Sequence, residues 1–324
     1  IARCLNNLGV SKQRMGEFVQ AKNYFERAKL LYEELGNQHG LGLVMNYLGY
    51  AAITHQDRKT AKTYWLTSLE MLRQVGDLRS CGIVLGNLGG VFFDLTQYDE
   101  AIYYYEQSLK IARDVGNKYG ENIQIENLGR VYCSAGEYEK GMAYLEEALV
   151  MRRHNGDKIS IAYALNNIGI FASHEGDYKR ARVALEECLD HANATGEKQI
   201  LLLALNNLGF VYALEGDAPR AQTYFMESLA KSLTIQYLLA IQISVLGMAW
   251  IYLHHQNPQK ACELVGLIQN QPNQIGYFDM RISEIMPRLQ HNLSSDELVA
   301  SVEKGKLLDI HAVAKQLLDD FVIK

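Results

Sequence analysis

Glycine recurs at Gly9, Gly49, Gly89, Gly129, Gly169 and Gly209, each step being 40 residues, and Gly247 follows after 38. An aliphatic side chain precedes every one of them: Leu8, Leu48, Leu88, Leu128, Ile168, Leu208 and Leu246. Twelve residues after the glycine stands a small residue, at Ala21, Ala61, Ala101, Gly141, Ala181 and Ala221; the seventh copy has Ala261 at fourteen. A register held through seven copies restricts the chain to a repeat architecture, in which each copy buries its apolar face against its neighbours.

Within one period the pattern is that of two antiparallel helices. In 157–196, Asp157 can accept the unpaired amides of a first turn. Ile161, Ala164, Leu165, Ile168 and Phe171 then follow at helical spacing. Gly176-Asp177 stops that helix and caps the next, which would bury Tyr178, Ala181, Leu185, Cys188 and Leu189 before Gly196. Equivalent punctuation stands at Gly36-Asn37, Gly76-Asp77, Gly116-Asn117 and Gly156-Asp157. Proline breaks helix interiors, and the chain has only 4 in 324 residues, which favours an all-α fold. Gly169 and Ala181 would let paired helices approach closely.

This glycine, alanine and turn pattern resembles the tetratricopeptide repeat in a longer, forty-residue form. The resemblance implies an all-α, TPR-like α-solenoid, a right-handed superhelix of antiparallel helix pairs. Seven repeats are expected over 1–268, the first reading as truncated, with a C-terminal helical cap over 269–324. Departures are Arg58 and Ala218 where other copies carry Phe or Tyr, Gly141 for alanine, and the short seventh copy. In the cap, Pro272 and Gly276 break the pattern and a helix is expected from Tyr277 to Gln290. Ser294 or Ser295, with Asp296 and Glu297, starts another that stops near Gly305, and Asp309 caps a last one through Leu317, Leu318 and Phe321. Ile1 opens in mid-pattern, which reads as a fragment of something larger.

The sequence offers little for catalysis. It has no GxSxG, HExxH or GxxxxGK[ST] motif. Gly82–Gly90 is rich in glycine but lacks the lysine–hydroxyl ending of a phosphate loop, and its phase places it inside a helix. Cys4, Cys81, Cys133, Cys188 and Cys262 are scattered singles, which suits buried thiols in a reducing compartment. His254-His255 is the one histidine pair, and adjacent helical residues point in different directions. A net charge of −5 gives no electrostatic reason to seek nucleic acid, and no apolar run is long enough to span a bilayer. These features lead to the expectation of a cytoplasmic binding module, not an enzyme, with no cofactor or metal.

The resemblance also implies where a partner lies, since in tetratricopeptide arrays the first helix of each repeat lines a concave groove. The family's groove-facing positions fall seven and three before the glycine, then one and five after. Three before stand Asn6, Asn46, Gly86, Glu126, Asn166, Asn206 and Ser244. An asparagine amide can donate to and accept from an extended backbone, so these form a candidate ladder for a peptide; alternatively they fix repeat stacking. For the adjacent Asn7, Asn87, Asn127, Asn167 and Asn207, stacking is the favoured role. One after the glycine, Tyr50, Gly90, Arg130 and Phe210 join the candidate groove. Glu126 and Arg130 either pair with each other or anchor a charged partner group. Gly86 and Gly90 remove bulk that could open a pocket, and Tyr163, Phe210 and Met248 would supply an apolar floor.

A second resemblance covers about 60 residues at the end. Ala261-x-x-Leu264-x-Gly266 and Glu303-x-Gly305-Lys306-x-Leu308-Asp309 resemble segments that close the helical arrays of bacterial signal-transducing ATPases and transcriptional regulators of the AfsR, MalT and LuxR-like kind. That implies an effector-sensing arm restraining an upstream nucleotide-binding domain of the same chain. The alternative is a stand-alone adaptor or peptide receptor that holds an extended peptide in its groove.

Overall fold

The computed structural model describes residues 1–54, 57–271 and 276–321, and their regular structure is entirely α-helical. The chain divides into two compact units, Ile1–Ala148 and Leu149–Lys324. Pro272, at the expected break before the cap, lies outside the described residues.

The first unit holds α1 (Ala2–Arg14), α2 (Phe18–Glu34), α3 (Gln38–Thr54), α4 (Arg58–Gln74), α5 (Leu78–Asp94), α6 (Tyr98–Asp114), α7 (Lys118–Ser134) and α8 (Tyr138–Asn155) as far as Ala148. Successive helices pack pairwise, as the 40-residue register requires. The turns carry the expected chemistry. Gly76 takes a left-handed φ of 71° that other residues adopt reluctantly, and Asp77 then caps α5 by accepting the Ser80 amide at 3.1 Å. The glycine-rich Gly82–Gly90 lies wholly within α5.

Each repeat glycine makes room for one large side chain of the second helix, sixteen positions on. A methyl group at Gly9 would fall 2.5 Å from the Phe25 ring, and one at Gly89 would fall 2.6 Å from Tyr105. At Gly49 the obstructing group is Trp65, and at Gly129 it is Leu145 together with the Gly141 carbonyl. The ring or branched side chain thus sits directly on the backbone of the first helix. Each such buried side chain contributes about 1.5–3 kcal/mol from apolar burial alone.

The second unit continues with α9 (Lys158–His174), α10 (Tyr178–Thr195), α11 (Lys198–Glu215), α12 (Ala218–Ile235), α13 (Leu238–His254) and α14 (Pro258–Gln269). Leu185 fills the space at Gly169 and Phe225 that at Gly209. The shortened step to Gly247 has a physical consequence. Gly247 is packed on Phe225 of the preceding repeat, so one ring is held between two glycines.

Three further helices follow: α15 (Gly276–Asn292), α16 (Ser295–Lys306) and α17 (Ile310–Phe321). Ser294 and Glu297 form a reciprocal capping box ahead of α16, and Asp309 accepts the Ala312 amide at 2.7 Å ahead of α17. α16 crosses α14 backbone to backbone: a methyl group on Gly266 would strike the Val302 carbonyl, and one on Gly305 the Glu263 carbonyl. The two glycines of the C-terminal segments therefore have a packing explanation. α17 rests on α12 and α13.

Candidate functional site

The candidate residues fall on first helices in both units. In the first unit, Asn87 joins two of them. Its Nδ2–H donates to Asn46 Oδ1 at 2.9 Å, and its Oδ1 accepts the Tyr50 hydroxyl at 2.7 Å. Asn46 belongs to the series three before the glycine, and Asn87 to the series two before it in the next repeat. The asparagines therefore bond across repeats, α3 to α5. The Trp65 indole holds the same place by donating to the Asn46 carbonyl at 3.0 Å and meeting the Tyr50 ring edge-on. Burial pushes the Tyr50 phenol up, partly offset by its bond to Asn87.

Beyond this cluster the first-helix face is half-buried. Arg130 lies with its guanidinium 5.2 Å from the centre of the Phe93 ring. The space beside Gly86 is taken by Gln124, whose Nε2 would be 3.0 Å from an added methyl group. A methyl group on Gly90 would meet only the Tyr105 hydroxyl, at 3.6 Å. The expected pocket at this pair of glycines is thus closed at one of them. Asn6 is buried, and its Oδ1 has no hydrogen-bond partner among the described residues.

The position seven before the glycine, expected to face the groove, is buried in Gly42, Gly82, Asn122, Ala162 and Leu202. In four of these copies its carbonyl accepts a hydrogen bond from the second helix: Ser68 at 2.6 Å, Ser108 at 2.7 Å, Cys188 at 3.1 Å and Ser228 at 3.2 Å. In the remaining copy the direction reverses, Asn122 donating to the Ala148 carbonyl. Helix pairing uses that row, so a partner does not meet it.

Family models for the tetratricopeptide repeat match residues 1–35, 45–114, 121–194 and 160–233, more than half of the chain. The chain belongs to the tetratricopeptide repeat family. The array is similar in fold to the apo form of RapI, at 13% identity, covering 90% of this chain and 99% of that one with a TM-score of 0.69. A Rap protein complexed with competence and sporulation factor matches at 14% identity over 98% of this chain and 99% of the other, TM-score 0.67. A signal-transduction ATPase with a tetratricopeptide repeat sensor, from Pyrococcus horikoshii, matches at 15% identity and TM-score 0.64, over 90% of this chain but 44% of that protein. No curated protein matches the chain in sequence.

In the second unit of the tetratricopeptide array the same asparagine pair recurs: Asn207 donates to Asn166 Oδ1 at 2.9 Å. Here the matching place to Tyr50 is Ile170, which has no hydroxyl. The acceptor on Asn207 is instead filled by Tyr277 of α15, at 2.7 Å. One turn further along α15, Arg281 is completely buried. Its guanidinium lies 4.5 Å from the Phe210 ring centre and donates to Ser173 Oγ at 3.2 Å and to the Glu284 carboxylate at 3.1 Å.

α15 therefore lies on the first-helix face, covering Phe210, which is itself fully buried edge-on to Phe225. Asn206 is also buried. It donates to the Ala240 carbonyl at 3.2 Å and accepts from Ser244 at 2.8 Å, tying α11 to α13. Only Tyr163 among the second-unit candidates is exposed, at 36%. Sequence reasoning missed Tyr277, Arg281 and Ser173 as residues of this face. The absent tyrosine at Ile170 and the Tyr/Arg pair four apart on α15 are the signals that could have found them.

Proposed function

We propose that this chain is a non-catalytic protein- or peptide-binding domain whose first-helix face takes a helical or extended segment bearing tyrosine or arginine. One observation carries the reading. In the second unit that face already holds α15, with a tyrosine hydroxyl on an asparagine pair and an arginine against Phe210. The first unit presents the same asparagine pair, closed by its own Tyr50, and carries Gly90, Glu126 and Arg130 half-buried on α5 and α7. An incoming hydroxyl or amide would exchange with the Tyr50 hydroxyl at little net cost, since one hydrogen bond replaces another.

Selection of peptides from a random display library against the intact chain tests this. Enriched peptides should bind Asn87→Ala plus Arg130→Ala at least about tenfold more weakly, roughly 1.4 kcal/mol. Absence of any enriched peptide, or equal binding by the folded double variant, removes the reading.

The finer role proposed is the effector-sensing, autoinhibitory arm of a larger signal-transducing ATPase or regulator. The C-terminal segments around Gly266 and Gly305 support it, as does fold similarity to a signal-transduction ATPase described as having a tetratricopeptide repeat sensor. A stand-alone adaptor or peptide receptor is the competing role, favoured by similarity to a Rap protein solved with competence and sporulation factor. The coding sequence ahead of Ile1 separates them: an encoded phosphate-loop ATPase domain supports the arm, and its absence supports the receptor.

A further inference from the structure

A cavity of about 360 Å³ opens in the second unit between the end of α11, the turn into α12, α13 and α15. Its polar side chains are Arg288, His291 and Asn292 from α15 and His254 and Trp250 from α13. Among the described residues no carboxylate lines it, although the whole chain carries a net charge of −5. Arg288 makes no ion pair among the described residues. Its guanidinium lies over the Trp250 ring, 4.6 Å from the centre, which leaves its N–H edge available. Trp250 is 4% exposed, and its indole N–H has no acceptor among the described residues. A buried donor without a partner costs on the order of 1–3 kcal/mol. Leu253 and Pro287 make the remaining wall apolar.

We infer that this cavity is a binding site for a small organic carboxylate with an apolar body. The anion meets the Arg288 guanidinium in a charge-assisted contact, the strongest available to an uncompensated arginine. The apolar body rests on Leu253 and Pro287. The volume is near the lower end for ligand pockets, about 300–1,000 Å³, which suits a single-ring acid better than a folded partner. The site shares no residue with the Tyr277–Asn207 contact, and the inference does not rest on the first-helix face binding a peptide.

Titration calorimetry on the intact chain with phenylacetate, its uncharged amide phenylacetamide, and inorganic phosphate decides the matter. Saturable binding of phenylacetate is expected, with phenylacetamide at least about tenfold weaker. Arg288→Gln, at an exposed position where folding is retained, should weaken phenylacetate by a similar factor and leave the amide unchanged. Arg73→Gln, in the first unit, should change neither. The inference is overturned by no saturable binding of phenylacetate, by equal affinity for acid and amide, by an unaltered affinity in Arg288→Gln, or by binding of phosphate alone.

Discussion

A methyl group at Gly89 would lie 2.6 Å from the Tyr105 ring, whereas one at Gly90 would meet only the Tyr105 hydroxyl, at 3.6 Å. Helix propensity favours alanine over glycine by about 1 kcal/mol at both places. Overpacking costs about 1–3 kcal/mol where the neighbour cannot retreat. Urea unfolding should therefore show Gly89→Ala destabilised and Gly90→Ala stabilised by about 0.5–1 kcal/mol. Equal shifts in the two variants would contradict the packing argument. The cysteines divide on similar grounds. Cys4 is exposed, whereas burial pushes the Cys188 thiol up to about 12 and its Sγ donates to the Ala162 carbonyl. A thiol reagent on the native chain should modify Cys4 first and Cys188 last, read by mass spectrometry of timed digests.

At the level of elements, α15 is the informative one, because its place depends on residues far away in the chain. Tyr277→Phe would leave Asn207 Oδ1 without its partner, a loss of about 1–2 kcal/mol for a buried acceptor. Hydrogen exchange should then show α15 opening more readily, while the amides of α5 keep their protection. If α15 protection is unchanged, the hydroxyl does not hold the helix. Arg281 explains why α15 stays: its charge is buried but answered by Glu284 on the same helix, so the pair travels together. α16 is held differently, by glycines that let two backbones touch.

Across the whole molecule the buried Tyr105 and several half-buried tyrosines set a pH limit. Burial is the first cause raising the phenols of Tyr50, Tyr104, Tyr237, Tyr252 and Tyr277, and it takes Tyr105 up to about 12. A phenol whose folded pKa is raised favours the folded state fully below its unfolded value, near 10. That contribution is lost as pH climbs from about 10 through the folded value. Melting temperature should therefore hold from neutral pH to about 10 and fall steeply towards 12, with phenolate absorbance rising together with unfolding. Titration of all 20 tyrosines at an ordinary pKa, with no loss of stability, would refute this.

The forty-residue register was legible because helix pairing imposes it on every copy: a first helix needs a glycine where Phe25, Trp65 or Tyr105 presses on it. Cap residues such as Asp77 and Ser294 were legible for the same reason, since they act on amides within three residues. The asparagines were visible, but their pairing was not, because Asn46–Asn87 and Asn166–Asn207 join different repeats 41 residues apart. Least legible was the cover on Phe210. Local sequence fixes that α15 is a helix, yet its docking place follows from an empty acceptor on Asn207 and a ring beside Ser173, which only the tertiary structure brings together.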